Sequence, residues 1–285
     1  MRLIAVFLLG VSVLLLLCGA SFVEGVRFFL LAFPLCGVSA ILSRYSGVEG
    51  HLERFVAAFV IGASLVVLIG IALGMLGGYR YATVLLAGWI LLLAVGTIGG
   101  WRRERSVPPR GLREKRGRDG REDRIVHLLL AGAAVLHAVN LAVALFAPPT
   151  AFDAISYHLT FAAKWLQEGR LVLVPTPFGA EASAYAPANG SLFFLWLMLP
   201  FHHDLLAKVG QFPFLVLSMA ALFAIGRARS GSARAALWPV LFFSVTPIVF
   251  EESGNAYVDL ILGAFLHAAF LLLPVGEEPF PAPRR

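Results

Sequence analysis

A chain of 285 residues that is 59% hydrophobic and only 14% charged, with a mean hydropathy of +0.83, lacks the polar surface of water-soluble domains, in which about 25% of residues are charged. Composition therefore excludes an ordinary soluble enzyme and points to an integral membrane protein. The net charge of +6 does not argue for nucleic acid, because ten of the 23 basic residues fall in one stretch, 101–124, directly after an apolar run, and a basic loop beside a span marks the cytoplasmic side.

Apolar runs at 3–20, 26–42, 55–76 and 81–100 form a four-helix N-terminal membrane region, residues 1–100, each run long enough to cross a hydrocarbon core of about 30 Å. Arg2 followed by Leu3–Leu17 resembles a signal peptide, but a second apolar run follows closely, so an uncleaved first span is expected. Cys18 and Cys36 both lie in apolar runs and read as small packed residues rather than a disulfide framework. With the N-terminus cytoplasmic, Arg44 and Arg54 fall inside together with the 101–124 segment. That segment carries Pro108-Pro109 and five acidic residues and reads as a solvated cytoplasmic linker that sets topology, with anionic-lipid binding as the sharper alternative.

Residues 125–275 form a second membrane module. A fifth span, 125–146, carries the chain out, so loop 147–187 is external. Of the later runs, 191–201 is too short to cross, since 187–201 reaches only about 22 Å at ~1.5 Å per residue. Read as a re-entrant or interfacial helix, it puts Arg227, Arg229 and Arg234 inside and Glu251–Asp259 outside. Spans at 205–226, 235–250 and 257–275 and a cytoplasmic tail at 276–285 complete an all-α polytopic bundle of about eight crossings. The expected setting is a bacterial-type plasma membrane. The glycines, 28 in all, are scattered through the spans, where small residues permit close helix packing.

The external loop holds most of the chemistry. Asp153–Glu168 follows Pro148-Pro149-Thr150 and stops at Gly169, which predicts one amphipathic helix. At 100° per residue Asp153, Ser156, Tyr157, Thr160, Lys164, Gln167 and Glu168 share a polar arc, and Ile155, Leu159, Phe161, Ala162, Trp165 and Leu166 an apolar one. Such a helix suits the outer membrane surface. His158 falls on the apolar arc and reads first as a packed histidine. Asp153, at the first turn, and the acids Glu251, Glu252 and Asp259 around Asn255 both stand at external ends of spans. Acidic groups at membrane depth usually face a cavity or pathway, so two such sites suggest one external cleft.

The string 148–159, Pro-Pro-Thr-Ala-Phe-Asp-Ala-Ile-Ser-Tyr-His-Leu, then Tyr185-Ala186-Pro187 and Asn255-Ala256-Tyr257-Val258-Asp259 resembles the multi-span glycosyltransferases of the GT-C type. The nearest group is the family 39-like enzymes with polyprenyl-phosphate sugar donors. The likeness covers about residues 145–275, the front half of such an enzyme, preceded here by four additional spans. It implies sugar transfer with inversion onto a lipid or cell-surface glycan, with Asp153 and Asp259 as the catalytic acids of the first and second external loops. A carboxylate within hydrogen-bond reach of an attacking hydroxyl serves as general base, and a departing lipid phosphate needs a cation, for which Lys164, Arg170 and Lys208 are external candidates. Tyr157, His158, Lys164, Tyr185, Glu251, Glu252 and Asn255 are the substrate-binding candidates. No cofactor and no metal-ligand spacing is read, although relatives in the wider class use a divalent ion, for which Asp153 and the 251–259 acids are the site left open. The expected partners are a polyprenyl-phosphate-linked sugar, the acceptor and membrane lipids. The contrasting expectation is a non-catalytic membrane protein that binds or transports a lipid-linked intermediate.

Overall fold

The computed structural model describes residue 15 and residues 19–48, 50–101, 120–175 and 187–273. The bulk of the 3–20 run, residues 102–119 of the linker, Tyr185 and the 276–285 tail lie outside the described residues. Among the described residues all regular structure is helical. The helices are α1 (Phe22–Tyr45), α2 (His51–Met75), α3 (Tyr81–Trp101), α4 (Gly120–Phe146), α5 (Leu159–Glu168), α6 (Asn189–Met198), α7 (Phe212–Ser230), α8 (Ala233–Ser244), α9 (Pro247–Ser253) and α10 (Asp259–Leu272), with a π turn at Ala154–His158 and a 3₁₀ turn at Ala207–Val209.

Local chemistry explains the helix ends. Ser21 and Glu24 form a capping box that starts α1, which satisfies two amide donors reciprocally. Gly169 takes φ +64 at the end of α5, the left-handed conformation that glycine adopts without steric penalty. Close packing uses small residues: a methyl group at Gly62 of α2 would lie 2.9 Å from the Ser39 hydroxyl of α1.

Among the described residues five helices are long and apolar enough to cross a membrane, and six if α8 and α9 count as one broken span. The eight expected crossings also counted 3–20, outside the described residues, and α10. At 14 residues, α10 reaches about 21 Å at 1.5 Å per residue, short of the hydrocarbon thickness. Lipid-facing surface is plain on α4, where Leu128 is 71% and Val135 63% exposed.

The expected continuous span over 235–250 is instead two helices bent by 72°. Pro247 supplies no amide and holds the preceding Thr246 extended, at ψ 124, as a residue before proline is disposed to be. Backbone groups released by the break meet α4: His137 Nε2 donates to the Ser244 carbonyl at 2.9 Å, and its Nδ1 lies 3.1 Å from Ser253 Oγ. Asn140 Nδ2 donates to the Phe250 carbonyl at 2.8 Å.

Helix α6, the run expected to be re-entrant or interfacial, is enclosed by protein: every side chain from Ser191 to Met198 is buried by the chain itself. Around it stand α2, α5 and the 3₁₀ turn, and its aromatic residues meet α1 and α7 through Phe28–Trp196 and Phe193–Phe214 contacts. Its apolar run therefore belongs to the protein core rather than to lipid.

An ion pair marks one end of the bundle. Arg227 at the last turn of α7 pairs with Glu53 at the first turn of α2, at 2.9 Å, which puts the α1–α2 and α7–α8 connections, with Arg44, Arg54, Arg229 and Arg234, at one end. At the other, Tyr79 N–H donates to the Gly169 carbonyl and Lys208 Nζ to the Ala147 carbonyl. The 75–80, 147–175, 199–208 and 251–259 segments gather there. In a chain with Cys18 and Cys36 replaced by alanine, Thr150→Cys and Asn255→Cys should react with an impermeant maleimide from the same face of the membrane and Arg229→Cys from the opposite face. Labelling of Thr150→Cys and Asn255→Cys from different faces would contradict this arrangement.

Candidate functional site

The first wall of the site is the segment that leaves α4. Pro148-Pro149 stops that helix, and a new helical path begins at Phe152. The expected uninterrupted α-helix over 153–168 is replaced at its start by the π turn, in which Leu159 N–H bonds to the Ala154 carbonyl five residues back. Single π turns interrupt the regular helical phase and recur at functional sites. The change of phase redistributes the side chains: Ser156, expected on the polar arc, is buried with its hydroxyl unpartnered. The apolar arc of α5 meets α6 rather than lipid, through buried Leu159, Phe161, Ala162 and Trp165.

Asp153 is half-buried, lies in helical conformation and makes no capping bond. The Tyr157 phenol stands one turn on, beside its carboxylate. Burial first, then the neighbouring Asp153 carboxylate and the negative charge of Asp259, push the Tyr157 phenol up to about 12. His158 is buried, with Nδ1 3.0 Å from Ser191 Oγ and its ring 4.1 Å from that of Tyr157. Burial draws this imidazole down to about 4 against the opposing pull of Asp153 and Asp259, so it is neutral near pH 7. Both carboxylates thus act on the same two side chains.

The second wall is the segment between α9 and α10. Gln211, fully buried at the head of α7, donates to the Glu252 carboxylate at 2.7 Å and accepts from the Leu260 amide at 2.8 Å. One side chain thereby ties the end of α9 to the first turn of α10, where Asp259 is exposed. The Tyr257 phenol is raised by burial and then by Asp153, Glu252 and Glu251, which places it across from the first wall. Asn255 binds the Glu251 carbonyl at 2.9 Å.

The structure therefore gathers Asp153, Tyr157, His158, Glu251, Glu252 and Asp259 through shared electrostatic contact. Lys164 is engaged elsewhere, in a 2.8 Å pair with Glu168, which Arg170 also approaches. Tyr185 lies outside the described residues. Among the described residues no group of three or more His, Cys, Asp or Glu is arranged to hold a metal ion. Gln211 and Ser191 contribute to the site without having been singled out in the sequence, where a polar residue at the head of an apolar helix, as Gln211 is, offered the one signal; Tyr257 stood in the 255–259 motif without an assigned role. No protein-family model matches the chain, and no curated protein or solved structure matches it.

The neutral state of His158 has a measurable consequence. An imidazole with a folded-state pKa near 4, against an ordinary value of 6.5, takes up its proton more readily when unfolded, so its contribution to stability is complete above 6.5 and is lost as pH falls toward 4. Thermal unfolding in detergent should show a fall in Tm across that window that is reduced in His158→Gln. An equal fall in both proteins would remove His158 as its source.

Proposed function

We propose that this chain is a membrane glycosyltransferase that moves a sugar from a polyprenyl-phosphate donor onto a hydroxyl of a lipid or cell-surface glycan, at the non-cytoplasmic face and with inversion. The observation that carries the reading is the convergence of Asp153 and Asp259, 106 positions apart by subtraction of their numbers, on the Tyr157 and His158 side chains. The arginine-rich end opposite this cluster supports the sidedness, since basic residues flanking spans are retained in the cytoplasm.

In this reading Asp153 is the general base. As the acceptor oxygen attacks the anomeric carbon, its proton passes to the carboxylate, the carbon–oxygen bond to phosphate breaks, and the electron pair leaves on the phosphate oxygen. The products are the glycosylated acceptor and the polyprenyl phosphate. The Tyr157 phenol, one turn away beside the carboxylate, orients it. Asp259, exposed at the start of α10, faces the same space and supplies negative charge beside an oxocarbenium-like centre. His158 braces the wall from behind through Ser191.

Reconstituted protein supplied with labelled polyprenyl-phosphate hexoses and pentoses should release polyprenyl phosphate, and Asp153→Asn should lower turnover at least about a hundredfold, in the range of general-base effects, while still binding donor. Unchanged function in Asp153→Asn would exclude this role and favour a lipid-linked-intermediate binder. Tyr157→Phe should retain partial turnover, below wild type, because the carboxylate loses a neighbour that orients it. Turnover equal to wild type in Tyr157→Phe would separate Tyr157 from the base.

A further inference from the structure

Among the described residues helix α4 packs mainly onto α8, α9 and the 3₁₀ turn. Along that one contact face lie two cavities. The outer one, of about 140 Å³, is lined by Asn140, Ala147, Thr150, Lys208, Gly254 and Asn255 among others. The second, of about 290 Å³, lies at the helix break between Leu136, Val245, Pro247 and Phe250 and is almost wholly apolar. On α4 the two are lined by residues 133, 136 and 137 and by 140, 143 and 144, a spacing of three and four that keeps all of them on a single helix face. Between the cavities sits the His137 and Asn140 clamp on Ser244, Phe250 and Ser253.

Lys208 makes the outer cavity chemically specific. It is 8% exposed, and Ala147 is its hydrogen-bond acceptor, at 2.7 Å. The ion pairs among the described residues do not include it. An ammonium carries three donors, so two remain for a ligand in the cavity that the side chain lines. A buried cation without a carboxylate is costly unless an anion completes it, and ionisable groups at membrane depth commonly mark a ligand path. The apolar cavity below, open toward the lipid through Leu136 and Val245, which are 58% and 50% exposed, suits a hydrocarbon chain. The small Gly254 keeps the polar end open, since a methyl there would lie 2.7 Å from the Asn140 amide.

We infer that the face of α4 against α8 and α9 is a lipid-phosphate site, with a phosphate on Lys208 and Asn255 in the outer cavity and the first units of a single apolar chain in the cavity at the helix break. Both walls of the phosphate end continue into the carboxylate cluster. Thr150 precedes Asp153 by three residues, and Ala256 precedes Asp259 by three. A phosphate held there is adjacent, along both strands of chain, to the proposed general base. The identity of the lipid as a polyprenyl phosphate rests on the glycosyl-transfer reading; the site itself does not require turnover.

Binding of a labelled polyprenyl monophosphate to the full chain in phosphatidylcholine nanodiscs tests it. Lys208→Met should weaken binding at least about tenfold, the scale of a charge-assisted hydrogen bond, and Lys208→Arg should retain most of it. The wild-type protein should bind the corresponding polyprenol, which lacks phosphate, at least about tenfold more weakly, a comparison that needs no variant and holds even where Lys208→Met does not fold. Leu136→Trp, which fills the apolar cavity from its exposed side, should weaken the chain-bearing ligand. Asp153→Asn should bind as wild type does, so a loss of turnover there with binding intact leaves the site standing, whereas intact turnover chemistry without Lys208-dependent binding removes the site alone. Equal binding of polyprenol and polyprenyl phosphate, displacement by inorganic phosphate at the same concentration, or equal displacement by a two-chain phosphatidic acid would each overturn it.

Discussion

Hydrocarbon offers no water to a broken helix, so each amide and carbonyl released at the Ser244–Pro247 break must be satisfied within the chain. The His137 imidazole of α4 meets that demand at the Ser244 carbonyl, and with the Asn140 amide it also reaches the far end of α9, at the Ser253 hydroxyl and the Phe250 carbonyl. Everything at the carboxylate end depends on this. A continuous helix over 233–253 would carry Glu251 and Glu252 along the axis of α8, whereas the bend of 72° lays α9 across the end of the bundle, from which the chain turns back at Gly254 toward Asp259. The clamp also fastens α4, which has little other contact with the bundle, and so locates the segment that follows it, including Asp153.

A second set of bonds converts that placement into a site. Gln211 joins the Glu252 carboxylate to the Leu260 amide, so the two helices on either side of residues 254–258 share one anchor at the head of α7. On the opposite wall the π turn sets Tyr157 beside Asp153 and seats His158 on Ser191. Helix α6, buried on all sides, supports that wall from within. The carboxylates thus stand on backbone held by side chains that are themselves buried and bonded, as a preorganised site requires. The Arg227–Glu53 pair lies at the end of the bundle remote from these carboxylates.

Much of this was legible in the sequence because membranes impose one-dimensional rules. Runs of apolar residues with charged punctuation announced α1 to α4 and α7, and the alternation of their connections already put Asp153 and Asp259 at one end. Gly169 announced the end of α5. Other features were invisible for identifiable reasons. A π turn shifts helical phase by a residue without any sequence mark, so the wheel that placed Ser156 on a polar arc failed. Hydrophobicity alone does not distinguish an apolar run facing lipid from one enclosed by protein, so the choice between a re-entrant and an interfacial α6 stayed open. His137 and Asn140 sit singly in a hydrophobic span, and their partners are more than a hundred positions away.

By itself, the sequence determined that the chain is a helical membrane protein with its densest basic run in one connection and Asp153, Glu251, Glu252 and Asp259 in connections expected at the opposite end, because hydropathy and charge act residue by residue. Only the tertiary structure decided that the apolar stretch over 235–250 breaks, that α4 closes over the break to leave a half-polar cavity beside an apolar one, and that Lys208 lies buried. Those outcomes depend on which released carbonyl finds which donor. That pairing is set by the packing of distant helices and has no local signature.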